Sequence, residues 1–211
     1  MITINKNHIK LTFLVISIIF SVHSQDQEYP KSFNLENSDK TPNIILMIGD
    51  GMGLSQISAG MYSNKNTSAF EEMEYIGLSK THSYNQLVTD SAASGTAMAC
   101  GEKTYNGVVG INPKNKKLET ILEYCNSKNF TTALIATSSI VHATPASFYA
   151  NVNSRRQYED IALQLRFNSV DYFIGGGRKH FNRREDKRDL ITEMETDGYK
   201  IVNNIDNYDS Y

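Results

Sequence analysis

Cysteine and proline are scarce in this chain, at two and four residues in 211, and each scarcity closes off a class. Cys100 and Cys125 make no disulfide framework, and their spacing matches no metal motif, so no zinc site can be built from these two alone. They are read as buried free thiols, with pairing in an oxidising compartment as the alternative. Four prolines beside 13 glycines, with 40% hydrophobic and 21% charged residues, exclude a collagenous or globally disordered chain. Positive charge is not in surplus either. The 21 Lys and Arg stand against 23 Asp and Glu, a formal charge of −2, which argues against a nucleic-acid binder working through a basic surface. No apolar run is long enough for a comfortable membrane span.

The run nearest to one is Leu11 to Phe20, preceded by Lys6 and Lys10 and followed by Val22-His23-Ser24. A basic start, a short apolar stretch and a small residue at the end read as a secretory signal peptide over residues 1–24, cleaved after Ser24. An uncleaved anchor is the alternative. Cleavage leaves 19 basic against 23 acidic residues, a mature charge of −4, no stable membrane span, and a secreted or periplasmic protein. Residues 25–42 are polar and aperiodic, as a linker would be. One domain is expected over 43–211.

Within that domain, helix and strand signals interleave. Ile44 to Ile48 is an uninterrupted apolar run ending at Gly49-Asp50-Gly51, which predicts a strand buried on both faces. Helices are predicted near 54–61 and 69–75, a strand near 78–82, and a helix from Ser91. Leu118, Ile121, Leu122 and Cys125 recur at helical spacing before the β-rich run 131–137. Tyr158, Ile161, Ala162 and Leu165 give another amphipathic helix, ahead of a strand over 170–174 and the turn Gly175-Gly176-Gly177. The expected fold is α/β, a central, largely parallel sheet flanked by helices.

In open α/β sheets ligands bind at the carboxyl ends of strands, which draws attention to Asp50. The glycines around it do not form the G-x-G-x-x-G fingerprint, and a carboxylate in the turn would repel pyrophosphate, so a cation suits Asp50 better. Capping of the next helix is an equally good reading of that motif alone. Ser91 stands in the first turn of a helix of small residues, where unpaired N–H groups and the helix dipole stabilise an alkoxide or a phosphoryl group. Thr89-Asp90-Ser91 could equally be plain capping. A G-x-S-x-G elbow is absent, so something other than a histidine base would have to activate Ser91. His142 and Thr144 follow the strand over 131–137 closely, and Arg155 carries a planar fork able to grip two phosphate oxygens. Taken singly, each of these three also reads as an ordinary loop or helix residue.

The order and spacing of these elements resemble the alkaline phosphatases. The likeness rests on four stretches: NIILMIGDGMG at 43–53, VTDSAASGTA at 88–97, HATPASFYANVNSR at 142–155 and DYFIGGGRK at 171–179. The resemblance implies a phosphomonoesterase with two zinc ions and one magnesium, acting on small-molecule phosphate monoesters and homodimeric at full length. It implies that Asp50 bridges a zinc and the magnesium, that Ser91 is the zinc-bound nucleophile and transient phosphoserine, and that Thr144 ligates magnesium. Arg155 would hold phosphate, with Asp90 beside Ser91 helping to position it. His142 would act around the magnesium, where some members carry Asp and others His.

The family's remaining metal ligands, an Asp-His pair and a late His among them, have no counterpart in the sequence. Of five histidines, His8 and His23 fall in the signal segment, and His82, His142 and His180 match none of those motifs. The expectation is therefore an incomplete, N-terminal part of such an enzyme, inactive alone. A secreted, non-catalytic phosphate-binding protein is the rival from another class. A sulfatase or phosphodiesterase of the same superfamily is a third reading, weakened by the missing Cys/Ser-x-Pro-x-Arg signature.

Overall fold

A computed structural model describes residues 43–168 and 170–203. The expected signal peptide and linker lie outside the described residues. Two units are distinguished, 1–47 and 48–211. Of the first, only residues 43–47 are described, a stretch in neither helix nor strand with Ile44, Ile45, Leu46 and Met47 all exposed.

The second unit carries helices α1 (Leu54–Ser63), α2 (Ser91–Cys100) and α3 (Ile121–Ser127), strand β1 (Ala133–Ser139), helices α4 (Ala143–Ala146) and α5 (Tyr158–Phe167), strand β2 (Tyr172–Gly176), and helices α6 (Lys179–Asn182) and α7 (Leu190–Thr196). A 3-10 turn at Ala69–Glu72 separates α1 from α2. β1 and β2 pair in parallel, with Ala133 opposite Tyr172 and Ile135 opposite Ile174, then an irregularity before Ser139 and Gly176. Asp171 staples the start of both strands: its Oδ2 accepts from the Thr132 N–H at 2.7 Å and from the Thr132 hydroxyl at 2.9 Å.

The core lies between α2, α4, α5 and α7, where Tyr149, Ile140, Ile161, Leu165, Leu190 and Met194 are buried. Tyr149 is held by a hydrogen bond from its hydroxyl to the Ile140 carbonyl at 2.8 Å, and burial pushes its phenol upward in pKa. Helix α2 packs closely because its residues are small. A Cβ on Gly95 would come within 2.7 Å of Ser147 Oγ, so glycine is what lets α2 approach α4. Helix α3 begins three residues later than the periodicity suggests, because Thr120 and Glu123 form a capping box, the Glu123 carboxylate accepting from the Thr120 N–H at 2.8 Å.

Two expected strands are not strands. Residues 44–48 and 78–82 join no ladder among the described residues, and Leu78 is fully exposed. A β-rich run becomes a strand only when a neighbour satisfies its backbone groups. At 80–82 the carbonyls are met instead by the Lys103 ammonium, which donates to Lys80 O at 2.8 Å and to His82 O. The sheet observed is thus the parallel β1–β2 pair with flanking helices, a partial α/β fold. Cys100 and Cys125 are unpaired and half-buried. Burial, with Glu123 and Glu102 nearby, pushes the Cys100 thiol up to about 12, the state of an inert thiol. No helix among the described residues is long and apolar enough to cross a membrane.

Candidate active site

Two hydroxyl-bearing side chains from distant parts of the sequence meet Asp50. The Ser91 hydroxyl donates to its Oδ1 at 2.9 Å, and the Thr144 hydroxyl donates to its Oδ2 at 2.8 Å. Asp50 reaches them from a tight turn in which the Met52 N–H donates to Gly49 O at 3.1 Å, with Gly51 at φ +65°, a conformation that favours glycine. The cap of α1 is Gly53, not Asp50. Asp50 therefore has no capping duty.

A similar division of labour holds at α2. The N-cap is Asp90, whose Oδ1 accepts from the Ala93 N–H at 2.9 Å, so Ser91 occupies the first helical position with its hydroxyl free for Asp50. The other oxygen, Asp90 Oδ2, accepts from Arg155 Nη1 at 3.0 Å and from the Gly107 N–H at 3.0 Å. Burial alone would raise the Asp90 carboxyl, but the bonds from Ala93, Arg155 and Gly107 outweigh it and hold the group below its ordinary value. Arg155 sits in the loop before α5, its backbone N–H bonded to Gly107 O at 2.7 Å. Its Nη2 lies 3.2 Å from His142 Nε2. A guanidinium only donates, so His142 Nε2 is the acceptor in this contact.

The sequence profile described as alkaline phosphatase matches residues 41–209. The chain belongs to the alkaline phosphatase family. It is 35% identical over 209 residues to the repressible alkaline phosphatase of Saccharomyces cerevisiae, covering 86% of this chain and 37% of that protein. It is 38% identical over 180 residues to alkaline phosphatase 3 of Bacillus subtilis, covering 79% of this chain and 38% of that one. Among solved structures, the alkaline phosphatase of the Antarctic bacterium TAB5 superposes with a TM-score of 0.71 at 39% identity, covering 74% of this chain and 45% of that one. A His-to-Glu variant of the TAB5 enzyme, described with magnesium bound in its M3 site, matches with the same TM-score at 38% identity, covering 76% of this chain and 48% of that one. The chain spans about 40% of the length of the curated relatives it matches.

All five residues singled out in the sequence fall in two linked clusters. Asp50, Ser91 and Thr144 form one; Arg155 and His142, with Asp90, form the other, and the peptide bond between Asp90 and Ser91 joins them. His142 does not reach the Asp50 cluster by any hydrogen bond; it braces Arg155. Sequence reasoning missed Asn106 and Gly107. Asn106 Oδ1 accepts from the Asp90 N–H at 3.1 Å, while its Nδ2 donates to Val88 O at 3.0 Å, bracketing the turn that presents Ser91. The Asn-Gly dipeptide is a turn signal that marks them, and Gly107 adopts φ +84°.

A carboxylate and two hydroxyls make an oxygen donor set of the kind magnesium takes. Zinc favours His and Cys as well as carboxylates, and among the described residues no three His, Cys, Asp or Glu stand together. The residues present fit magnesium and supply part of a zinc set.

Proposed function

We propose that this chain carries the nucleophile and phosphate grip of a phosphate monoester hydrolase that works through a phosphoserine at Ser91. The observation that carries the reading is the placement of Ser91 Oγ, at the first position of α2 and 2.9 Å from Asp50. Membership of the alkaline phosphatase family supports it.

In this reading Arg155 binds two oxygens of the transferred phosphate through N–H groups not engaged with Asp90 or His142. Asp90 holds that fork beside Ser91, and the N-terminus of α2 stabilises the charge gathering on the phosphoryl oxygens. Ser91 gives up its proton and attacks phosphorus in line, and the leaving alcohol departs from the opposite side. A water then attacks the phosphoserine and frees phosphate. Asp50 with Thr144 would hold magnesium, and Asp50 and Ser91 would each contribute a zinc ligand. Such metals, when bound, lower the pKa of a coordinated hydroxyl or water and offset phosphoryl charge. That replaces the histidine base which the sequence lacks at Ser91.

By itself the chain binds phosphate and turns over negligibly, because its described residues complete no zinc site. The N-terminal sequence supports a secreted or periplasmic protein, and the family supports a homodimer at full length. To test the reading, the chain is fused to the part of the Bacillus subtilis relative that lies beyond the match, and aryl phosphate hydrolysis is followed with zinc and magnesium. Activity in the fusion, absent in its Ser91→Ala form and in the unfused chain, is the expected result. Zinc-dependent turnover by the unfused chain would overturn it.

A further inference from the structure

His142, which meets Arg155, also lines a concavity of about 540 Å³, together with Ser139, Tyr158, Arg178, Lys179 and His180. It opens at the carboxyl ends of β1 and β2, the edge where α/β sheets bind ligands. A shallower one of about 280 Å³ shares Arg178 and Lys179 with it and adds Arg183. The lining is cationic in a protein whose formal charge is −2. Lys179 and Arg183 have no hydrogen-bond or ion-pair partner for their side chains among the described residues. The other basic residues nearby are already committed. Arg178 donates to Asn203, Arg184 to Asp186 and the Glu159 carbonyl, and Arg188 to Glu193.

Ser139 supplies an independent sign of a ligand. Its Oγ is buried and has no hydrogen-bond partner among the described residues, a state that native structures rarely leave unexplained. Gly177, at φ +98°, covers it so closely that a Cβ there would come within 2.1 Å of that oxygen. His180 is fixed by stacking on Tyr158, with ring centroids 4.8 Å apart. Burial and the Lys179 charge lower the pKa of His180 against the opposing pull of Glu159.

We propose that this pocket holds a second phosphate group of the substrate, so that the enzyme built on this chain favours esters bearing two phosphates over simple monophosphates. Lys179 neutralises the second phosphate, Ser139 and His180 donate to its oxygens, and His142, which lines the pocket and meets Arg155, is common to both sites. The inference rests on the Ser91–Arg155 reading, and its test is made to fail separately from that reading.

The chain is titrated with two probes that it cannot turn over, inorganic phosphate and methylenediphosphonate. The wild type should bind the diphosphonate about tenfold or more tightly than phosphate. Lys179→Met should remove that preference and leave phosphate affinity unchanged, whereas Lys114→Met, at a lysine outside both concavities, should change neither. Lys179 is exposed and unpaired, so its loss does not threaten folding. Arg155→Ala should weaken phosphate itself. If Arg155→Ala weakens phosphate but Lys179→Met binds the diphosphonate like wild type, the second site is overturned and the first stands. If Arg155→Ala leaves phosphate binding unchanged, the reading of the nucleophile site fails, and the inference with it.

Discussion

Leu78 and Leu165 are the same side chain in opposite circumstances: the first is fully exposed and the second fully buried. They typify their regions. From Ile44 to Val88, exposed apolar residues follow one another, among them Ile45, Met47, Leu54, Ile76 and Leu87, and α1 buries none of its ten residues. From Ser91 to Leu165, α2 buries five and α5 three. The candidate site straddles this divide. Ser91, Asp90, Asn106, Gly107, Thr144 and Arg155 belong to or border the packed region, while Asp50 alone comes from the open one. Arg155, the proposed phosphate grip, thus stands on a core that the chain builds for itself, whereas Asp50, the proposed metal ligand, stands on a segment whose apolar residues are exposed.

The largest effect expected is on chemistry. In the active fusion, Ser91→Ala should lower kcat by about 10³-fold or more without altering the thermal transition, because Ser91 has no capping role. A kcat that survives Ser91→Ala, or a thermal transition that falls with it, would break the distinction drawn between Asp90 as cap and Ser91 as nucleophile.

Next comes the leucine pair in the chain itself. Leu165→Ala should destabilise by about 2–5 kcal/mol in urea unfolding, and Leu78→Ala should stay within about 0.5 kcal/mol. Equal effects would contradict the contrast between the two regions.

Smaller again is the double duty of Asp90. Asp90→Ala removes the cap and the Arg155 pair together and should cost about 1–2 kcal/mol. Asp90→Asn keeps a capping acceptor, so it should cost less than the alanine variant while still weakening phosphate binding through a loosened Arg155.

The smallest effect is the acid response. The Asp90 carboxyl lies below its ordinary value of 3.8 in the folded chain, so the unfolded chain takes up its proton first as pH falls. The associated stability is complete above the ordinary value and is lost as pH drops through the lowered one. The stability gap between wild type and Asp90→Asn should therefore be flat from pH 8 to about 5 and narrow below about 4. A gap that widens on acidification would sink the assignment.

Much of the site was legible in the sequence because small residues and sharp turns signal it locally. Gly49-Asp50-Gly51 announces a sharp turn, although only the structure gives the cap of α1 to Gly53 and not to Asp50, and Asp90-Ser91 opens a helix of small residues that packs tightly. The contact between His142 and Arg155 was not legible, since a pair thirteen residues apart has no spacing signature. The sheet was over-read for a related reason. Hydrophobic runs at 44–48 and 78–82 announce that they need covering, but nothing in a run says what supplies the neighbouring strand. β1 and β2 were read correctly because each finds its partner across a single crossover within the same stretch of chain.

The central claim is that Ser91 takes the phosphoryl group. It is tested most directly by acid-quenching the active fusion during turnover of a phosphate monoester and mapping phosphorylated peptides by mass spectrometry. The account predicts phosphoserine at residue 91 in the wild type and none in Ser91→Ala. A phosphorylated protein that persists in Ser91→Ala would contradict it.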